Sequence, residues 1–407
     1  ASVQLQGWKD YVEGRADTIS GIKVIDASTI QFRLEKPNAQ AIWFFSSGVL
    51  SKAYYGRDFT KGNVESIKAL NDKPMGAGPY VLEAYSLGES VSLTANPNYY
   101  KGKPKIKHIV YSVTPTGQEL ERVKLGEVDI DFPSVNEDNI EDAKKQGFID
   151  IYRYPANGYG YIGFRNDEPK YSDRRVRQAL LMAINRKDIV EAIYGSYANV
   201  INIPQSRLSW AYTDEDINAY DYNPEEAEKL LTEAGWSRDA DGWLVKNGEP
   251  FKIVFTAMQG HPITDAMLPV MKDDYQKLGI DLEIAYVDWP TLTEMVAAGS
   301  CDMWFMAWGL SPDPDPSGVY RTGGPLNWYN YSNTEADALM QKALETTDMT
   351  ERKMLYKQIY QLINRDVPCF WIYQRSDMWA VNCRVKNFKV SPYREWYYGI
   401  DQMSLAP

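Results

Sequence analysis

Between residues 251 and 308 the chain alternates strand and helix patterns with short joints, and this run restricts the fold more than any other feature. "FKIVFT" (251–256), "DLEIAYVD" (281–288) and "CDMWFMAW" (301–308) read as strands. "TDAMLPVMKDDYQKLG" (264–279) and "PTLTEMVAAG" (290–299) read as helices, the first with an interruption expected near Pro269. Strand, helix and strand joined this tightly require parallel strands and right-handed crossovers, hence an α/β domain. Both faces of such a sheet are covered, which accounts for the unbroken apolar run ending at Trp308. Ligands of open α/β sheets sit beyond the carboxyl ends of the strands. The stiff acidic loop "SPDPDPSG" (311–318) begins at such an end.

At 407 residues the chain is too long for one ordinary core, so two domains are expected. The first 155 or so residues read as β-rich. "ISGIKVIDASTIQFRL" (19–34) alternates as two strands around a turn, and further strands follow at 75–85, 89–100, 106–114 and 130–134. One crossover helix is expected over 117–129. From 155 to 170 the texture changes to Gly, Asn and Pro among aromatics. Helices follow, with Asp173 and Asn223 as N-caps, Pro224 at a first helical position, and Ser332 with Glu335 in capping-box spacing. "VPCFWIYQ" (367–374) is again an apolar strand. The chain thus leaves one lobe and returns: lobe I is 1–158 with 373–407, and lobe II is 159–372. Two crossings make a hinge, the arrangement of a two-lobed clamp.

Composition narrows the function. A net charge of −11 argues against a nucleic-acid partner. No apolar run approaches the length of a membrane span. The three cysteines Cys301, Cys369 and Cys383 fit no metal or redox spacing; Cys301 reads as core, and a Cys369–Cys383 bridge is an option only in an oxidising compartment. "DPDPSG" (313–318) opens like a calcium loop, but Gly324 stands where the closing Glu is needed. The two histidines, His108 and His261, have no zinc-site spacing. Asp313 and Asp315 have the chemistry of a hydrolytic carboxylate pair, yet a solvated acidic turn is the simpler reading. Phosphate-loop, dinucleotide and nucleophile-elbow motifs are missing. The chain therefore reads as a non-enzyme without metal or cofactor. The 29 Tyr and 12 Trp suit an aromatic binding cleft as well as a core.

Seven segments in order resemble the family 5 extracytoplasmic solute-binding proteins, the oligopeptide and dipeptide receptors of ABC transporters. They are "GAGPYVLEAY", "NPNYYKGKPKIKHIVY", "LGEVDI", "YSDRRVRQALLMAINRKDIV", "AEKLLTEAGW", "AWGLSPDPDP" and "YNYSNTEADALM". The resemblance implies a periplasmic-binding-protein-like fold (type II, cluster C), with mixed sheets and a ligand held between the lobes. It implies that lobe I here lacks its N-terminal strand and most of an extra subdomain. It also implies a peptide or peptide-like ligand, permease subunits as partners, a monomer, and a place in the periplasm or lipid-anchored on the outer face of the cytoplasmic membrane. An oligosaccharide, opine or nickel chelate on the same fold, or a peptide-sensing role without transport, are the alternatives.

By the same resemblance, Trp308 forms the cleft wall, with ligand backbone pairing at Ala307 and Gly309. The family's ammonium-binding Asp falls at Ser311, which leaves Asp313 as the candidate amine partner. The Arg of receptors for longer peptides falls at Phe305, so Arg165 and Arg321 are the candidate carboxylate partners. Asn166 is assigned to ligand backbone and Tyr161 to the lining. Trp371 and Tyr373 face the cleft from the returning strand, with strand alternation admitting one phase of the pair, and Trp371 is equally a core residue. Asn330 and Tyr331 complete the set.

Overall fold

The computed structural model describes residues 4–46 and 48–406. The chain forms two compact units. One joins the residues up to Ser46 with Asn157–Arg375; the other joins the stretch after Ser46 through Ala156 with the residues from Ser376 onward. The crossings fall at 156/157 and 375/376, against 158/159 and 372/373 read from the sequence. The residues up to Ser46, assigned above to lobe I, pack instead with 157–375. The Ala39 amide donates to the Leu344 carbonyl (2.8 Å), and the Gln40 side-chain amide donates to both Asp313 and Asp315 (3.1 Å each).

The larger unit is built on a mixed sheet. Its strands are β1 (Gly158–Phe164), β2 (Lys252–Met258), β3 (Asp281–Val287), β4 (Met303–Gly309) and the first half of β5 (Phe370–Asn382), in the spatial order β3-β2-β4-β1-β5. The pairs β2–β3 and β2–β4 are parallel, as the alternating run requires, while β4–β1 and β1–β5 are antiparallel. The helices are α1 (Arg174–Met182), α2 (Arg186–Tyr194), α3 (Pro224–Glu233), α4 (Pro262–Lys277), α5 (Trp289–Ala297), α6 (Thr334–Glu345) and α7 (Met349–Asp366). Odd and even residues of β4 enter different cores. Met303 and Phe305 pack with Ile253, Phe255 and Tyr373, while Trp304 and Met306 pack with Tyr161, Tyr329 and Trp371. An all-apolar strand is thus explained by two apolar neighbourhoods, one on each face of the sheet.

Local sequence explains most helix limits. Asp173 accepts from the Arg175 amide and Asn223 from the Glu226 amide, as capping requires. Two expectations change. α4 runs unbroken through Pro269, which lies on the exposed side, where water can serve the carbonyl one turn earlier. α6 is capped by Asn333, which accepts from the amides of Glu335 and Ala336, while Ser332 bonds Thr322 instead.

The smaller unit has a three-stranded antiparallel sheet (Tyr80–Ser86, Ser90–Ala95, His108–Ser112). The second half of β5 pairs with Ile130–Asp131 and Ile149–Pro155. The helix Glu137–Gln146, capped by Asn136, was not anticipated from the sequence. All three cysteines are free, so Cys369 and Cys383 are not bridged. Cys369 is buried beside the Tyr320 hydroxyl (3.4 Å), and burial pushes its thiol up to about 12.

Candidate functional site

β1 was read only as a cluster of glycines and aromatics, and it is the strand that frames the site. Its sequence GYGYIGF alternates glycine with large rings for a packing reason. A Cβ at Gly160 would lie 2.6 Å from the Tyr373 ring, and one at Gly163 would collide with the Trp304 indole. The glycines admit aromatic rings from the neighbouring strands.

β1 and β4 pair along their whole length, from Met303↔Phe164 to Gly309↔Gly158. Just beyond, the Leu310 amide donates to the Asn157 carbonyl (2.8 Å), and the Asn157 side chain donates to the Leu310 carbonyl (2.7 Å). Antiparallel ladders alternate, so Trp308 and Met306 also direct their main-chain groups toward β1. Ala307 and Gly309 direct theirs the other way, toward β2. There β2 has already left: its pairing with β4 covers only Met303 and Trp304. At its end β2 stays with β3, the Gln259 amide donating to the Val287 carbonyl (2.9 Å). Among the described residues no strand lies against this edge of β4 beyond Trp304. Ala307 and Gly309 are exposed and Trp308 is half-buried. The result is a crevice at the carboxyl ends of parallel strands, with a hydrogen-bonding edge as one wall.

The turn after β2 carries His261, a residue not singled out as a ligand group from the sequence. Its ring lies 5.6 Å from Phe305, and its Nδ1 is buried without a hydrogen-bond partner. Burial lowers its pKa, disfavouring the charged ring. On the other face of the sheet, the Trp308 indole donates to the Tyr329 hydroxyl (3.0 Å) and stacks on Trp328 with centroids 5.1 Å apart. Trp328 is half-buried and was also missed; only its place beside the anticipated Asn330 and Tyr331 pointed to it.

The other anticipated residues fall elsewhere. Ser311 is exposed, and its hydroxyl donates back to the Asp313 carbonyl (2.7 Å). The Asp313 carboxylate is buried and committed to Arg352 of α7 (2.9 Å), with Gln40 as a further donor. Its role is to anchor the loop, since a free ammonium would have to displace a buried guanidinium. Asp315 accepts from the Ser317 amide and hydroxyl, and burial raises its pKa. These two carboxylates are structural.

Arg165 and Asn166 follow the far end of β1, about seven residues, or ~20 Å of strand, from Gly309. Arg165 pairs with Asp167 (2.6 Å), and the Asn166 side chain donates to the carbonyls of Tyr329 (3.0 Å) and Pro368 (2.9 Å). The Tyr331 hydroxyl donates to Asp366 (2.9 Å), and Asn330 bonds Asp167. These residues close the opposite end of the sheet. Tyr161 and Trp371 are fully buried, and Trp371 donates to the Tyr320 hydroxyl (3.2 Å). A bulge between Trp371 and Tyr373 puts them on opposite faces of β5, so the expected shared phase fails. Phe305 is buried against Tyr373 (6.3 Å) below the edge, and Arg321 is exposed.

In a mixed α/β sheet ligands sit beyond the carboxyl ends of the parallel strands, and here a main-chain edge is open at that end. The family model for bacterial extracellular solute-binding proteins, family 5, matches residues 3–330, and the chain belongs to that family. It is 30% identical to the oligopeptide-binding protein AppA of Bacillus subtilis, over 98% of this chain and 75% of that one. It is 26% identical to heme-binding protein A of Haemophilus influenzae, over 94% and 70% respectively. The solved structure of the Bacillus subtilis AppA in complex with a nonapeptide superposes with a TM-score of 0.80 at 27% identity, covering 97% of this chain and 80% of that one. Among the described residues no helix is long and apolar enough to cross a membrane.

Proposed function

We propose that the chain captures a peptide or peptide-like ligand outside the cytoplasm and delivers it to the permease of an ABC importer. It acts as a monomer and performs no chemistry on its cargo; a lipid anchor on the outer face of the cytoplasmic membrane fits this role. The observation that carries the reading is the free edge of β4. Ala307 and Gly309 offer amide and carbonyl groups to an added strand, and main-chain pairing of this kind binds peptides with little regard to sequence. The relatives named for oligopeptide binding support the peptide as cargo.

A second reading has one observation in its favour. Ser311 stands where the family resemblance places an ammonium-binding carboxylate, and Asp313 is taken by Arg352. A ligand without a free amine, such as an oligosaccharide, opine or metal chelate, meets no penalty there, and a heme-binding relative shows that the family's cargo varies. Native mass spectrometry of the protein as purified, followed by calorimetric titration with unblocked and N-acetylated pentapeptides, separates the two. Binding of both peptides with similar affinity is expected. Absence of heat with either, together with a copurified non-peptide ligand, overturns the peptide reading.

A further inference from the structure

We infer, building on the peptide reading, that the Ala307-Trp308-Gly309 edge sorts the ligand's side chains by parity: one position is selected for an aromatic or large apolar group, and its two neighbours are left unselected. A strand added along β4 is forced into this pattern. Cross-strand neighbours project to the same face of a sheet. The ligand residue opposite Trp308 therefore projects to the face of the Trp308–Trp328 indole pair. The indole is held there by its bond to Tyr329, so it meets the ligand in a fixed orientation.

The ligand residues opposite Ala307 and Gly309 project to the other face. Ala307 and Gly309 themselves add only a methyl group and a hydrogen there, with the Phe305 and His261 rings further down the same face. A Cβ built on Gly309 meets nothing within 4 Å, unlike one at Gly160 or Gly163 of the adjoining strand. The residues whose main chain holds the ligand are thus the two smallest in the strand, and the residue between them is a Trp. Room on one face and an aromatic shelf on the other follow from the same three residues.

The test uses the full chain and five-residue peptides blocked at both ends, with alanine flanks and the cores Gly-Gly-Gly, Gly-Phe-Gly or Leu-Phe-Leu. Calorimetry on the parent should give Gly-Phe-Gly at least ~10-fold tighter than Gly-Gly-Gly, and Leu-Phe-Leu within a few-fold of Gly-Phe-Gly. Trp328→Ala should abolish the first difference. Gly309→Val, placed in open space on an extended strand, should weaken Leu-Phe-Leu at least ~10-fold more than it weakens Gly-Phe-Gly. Equal binding of all three cores by the parent overturns the sorting while leaving peptide capture standing. So does a Gly309→Val variant that weakens all three alike while its thermal midpoint is unchanged. Failure of every peptide to bind overturns both readings.

Discussion

The two ends of one sheet are finished in opposite ways. At the end where β4 begins, side chains tie neighbouring segments together: Asn166 to Tyr329 and Pro368, and Tyr331 to Asp366. At the end where β4 stops, β2 parts from it, and among the described residues the main chain of Ala307 and Gly309 has no strand on that side. Of the polar residues that look most like ligand groups, Arg165, Asn166, Asn330 and Tyr331 are gathered at the shut end, Asp313 is buried, and Ser311 and Arg321 are exposed. The open end offers main chain, small residues and indoles. Polarity in a sequence therefore located the scaffold here, and the scarcity of side chains located the site.

Behind the open end, the largest effect is expected at Arg352. Arg352→Met leaves the Asp313 carboxylate buried with only Gln40 and main chain for partners, and should cost about 3–5 kcal/mol in urea unfolding. If the loss is under about 1 kcal/mol, the loop is not anchored by this pair. Next is the β1–β5 contact, where Gly160→Ala drives a methyl into the Tyr373 ring; about 1–3 kcal/mol should be lost. At the shut end, Asn166→Ala removes two hydrogen bonds to carbonyls and should cost about 1–2 kcal/mol without changing ligand affinity. Loss of affinity in a folded Asn166→Ala protein would erase the contrast between the ends.

A smaller effect concerns His261. Burial places its folded pKa below the unfolded value near ~6.5, with Asp265 opposing and Arg375 adding to the shift. Its contribution is complete above that unfolded value. It is lost as pH falls, because the unfolded chain binds the proton first. Unfolding midpoints measured from neutral to mildly acidic pH should fall less in His261→Gln than in the parent. The least effect is expected at Gly309→Ala, where the added methyl meets open space and stability should stay within about 0.5 kcal/mol.

The parallel core was legible because periodicity and short joints are local properties of the chain. The run from 251 to 308 states its strands and helices, and its register then fixes which end opens. β1 was not legible as a strand, since its glycines are explained only by the Tyr373 and Trp304 rings that fill their places. The bulge after Trp371 was equally hidden, and parity arguments on β5 failed there. Ala307, Trp308 and Gly309 were indicated as candidates by resemblance, and the free edge that they form by structure. The Arg352 partner of Asp313 was not legible, because it lies 39 residues away on α7, a pairing no local pattern encodes.

The Trp308–Trp328 pair has an optical consequence. Indoles 5.1 Å apart with planes inclined by 23° do not absorb independently; their transitions mix, and the mixing depends on angle and spacing. The difference in near-ultraviolet circular dichroism between the parent and Trp328→Phe therefore isolates a band belonging to this edge. A molecule settling against the indoles alters that band without any label, so the proposed binding wall carries its own optical probe.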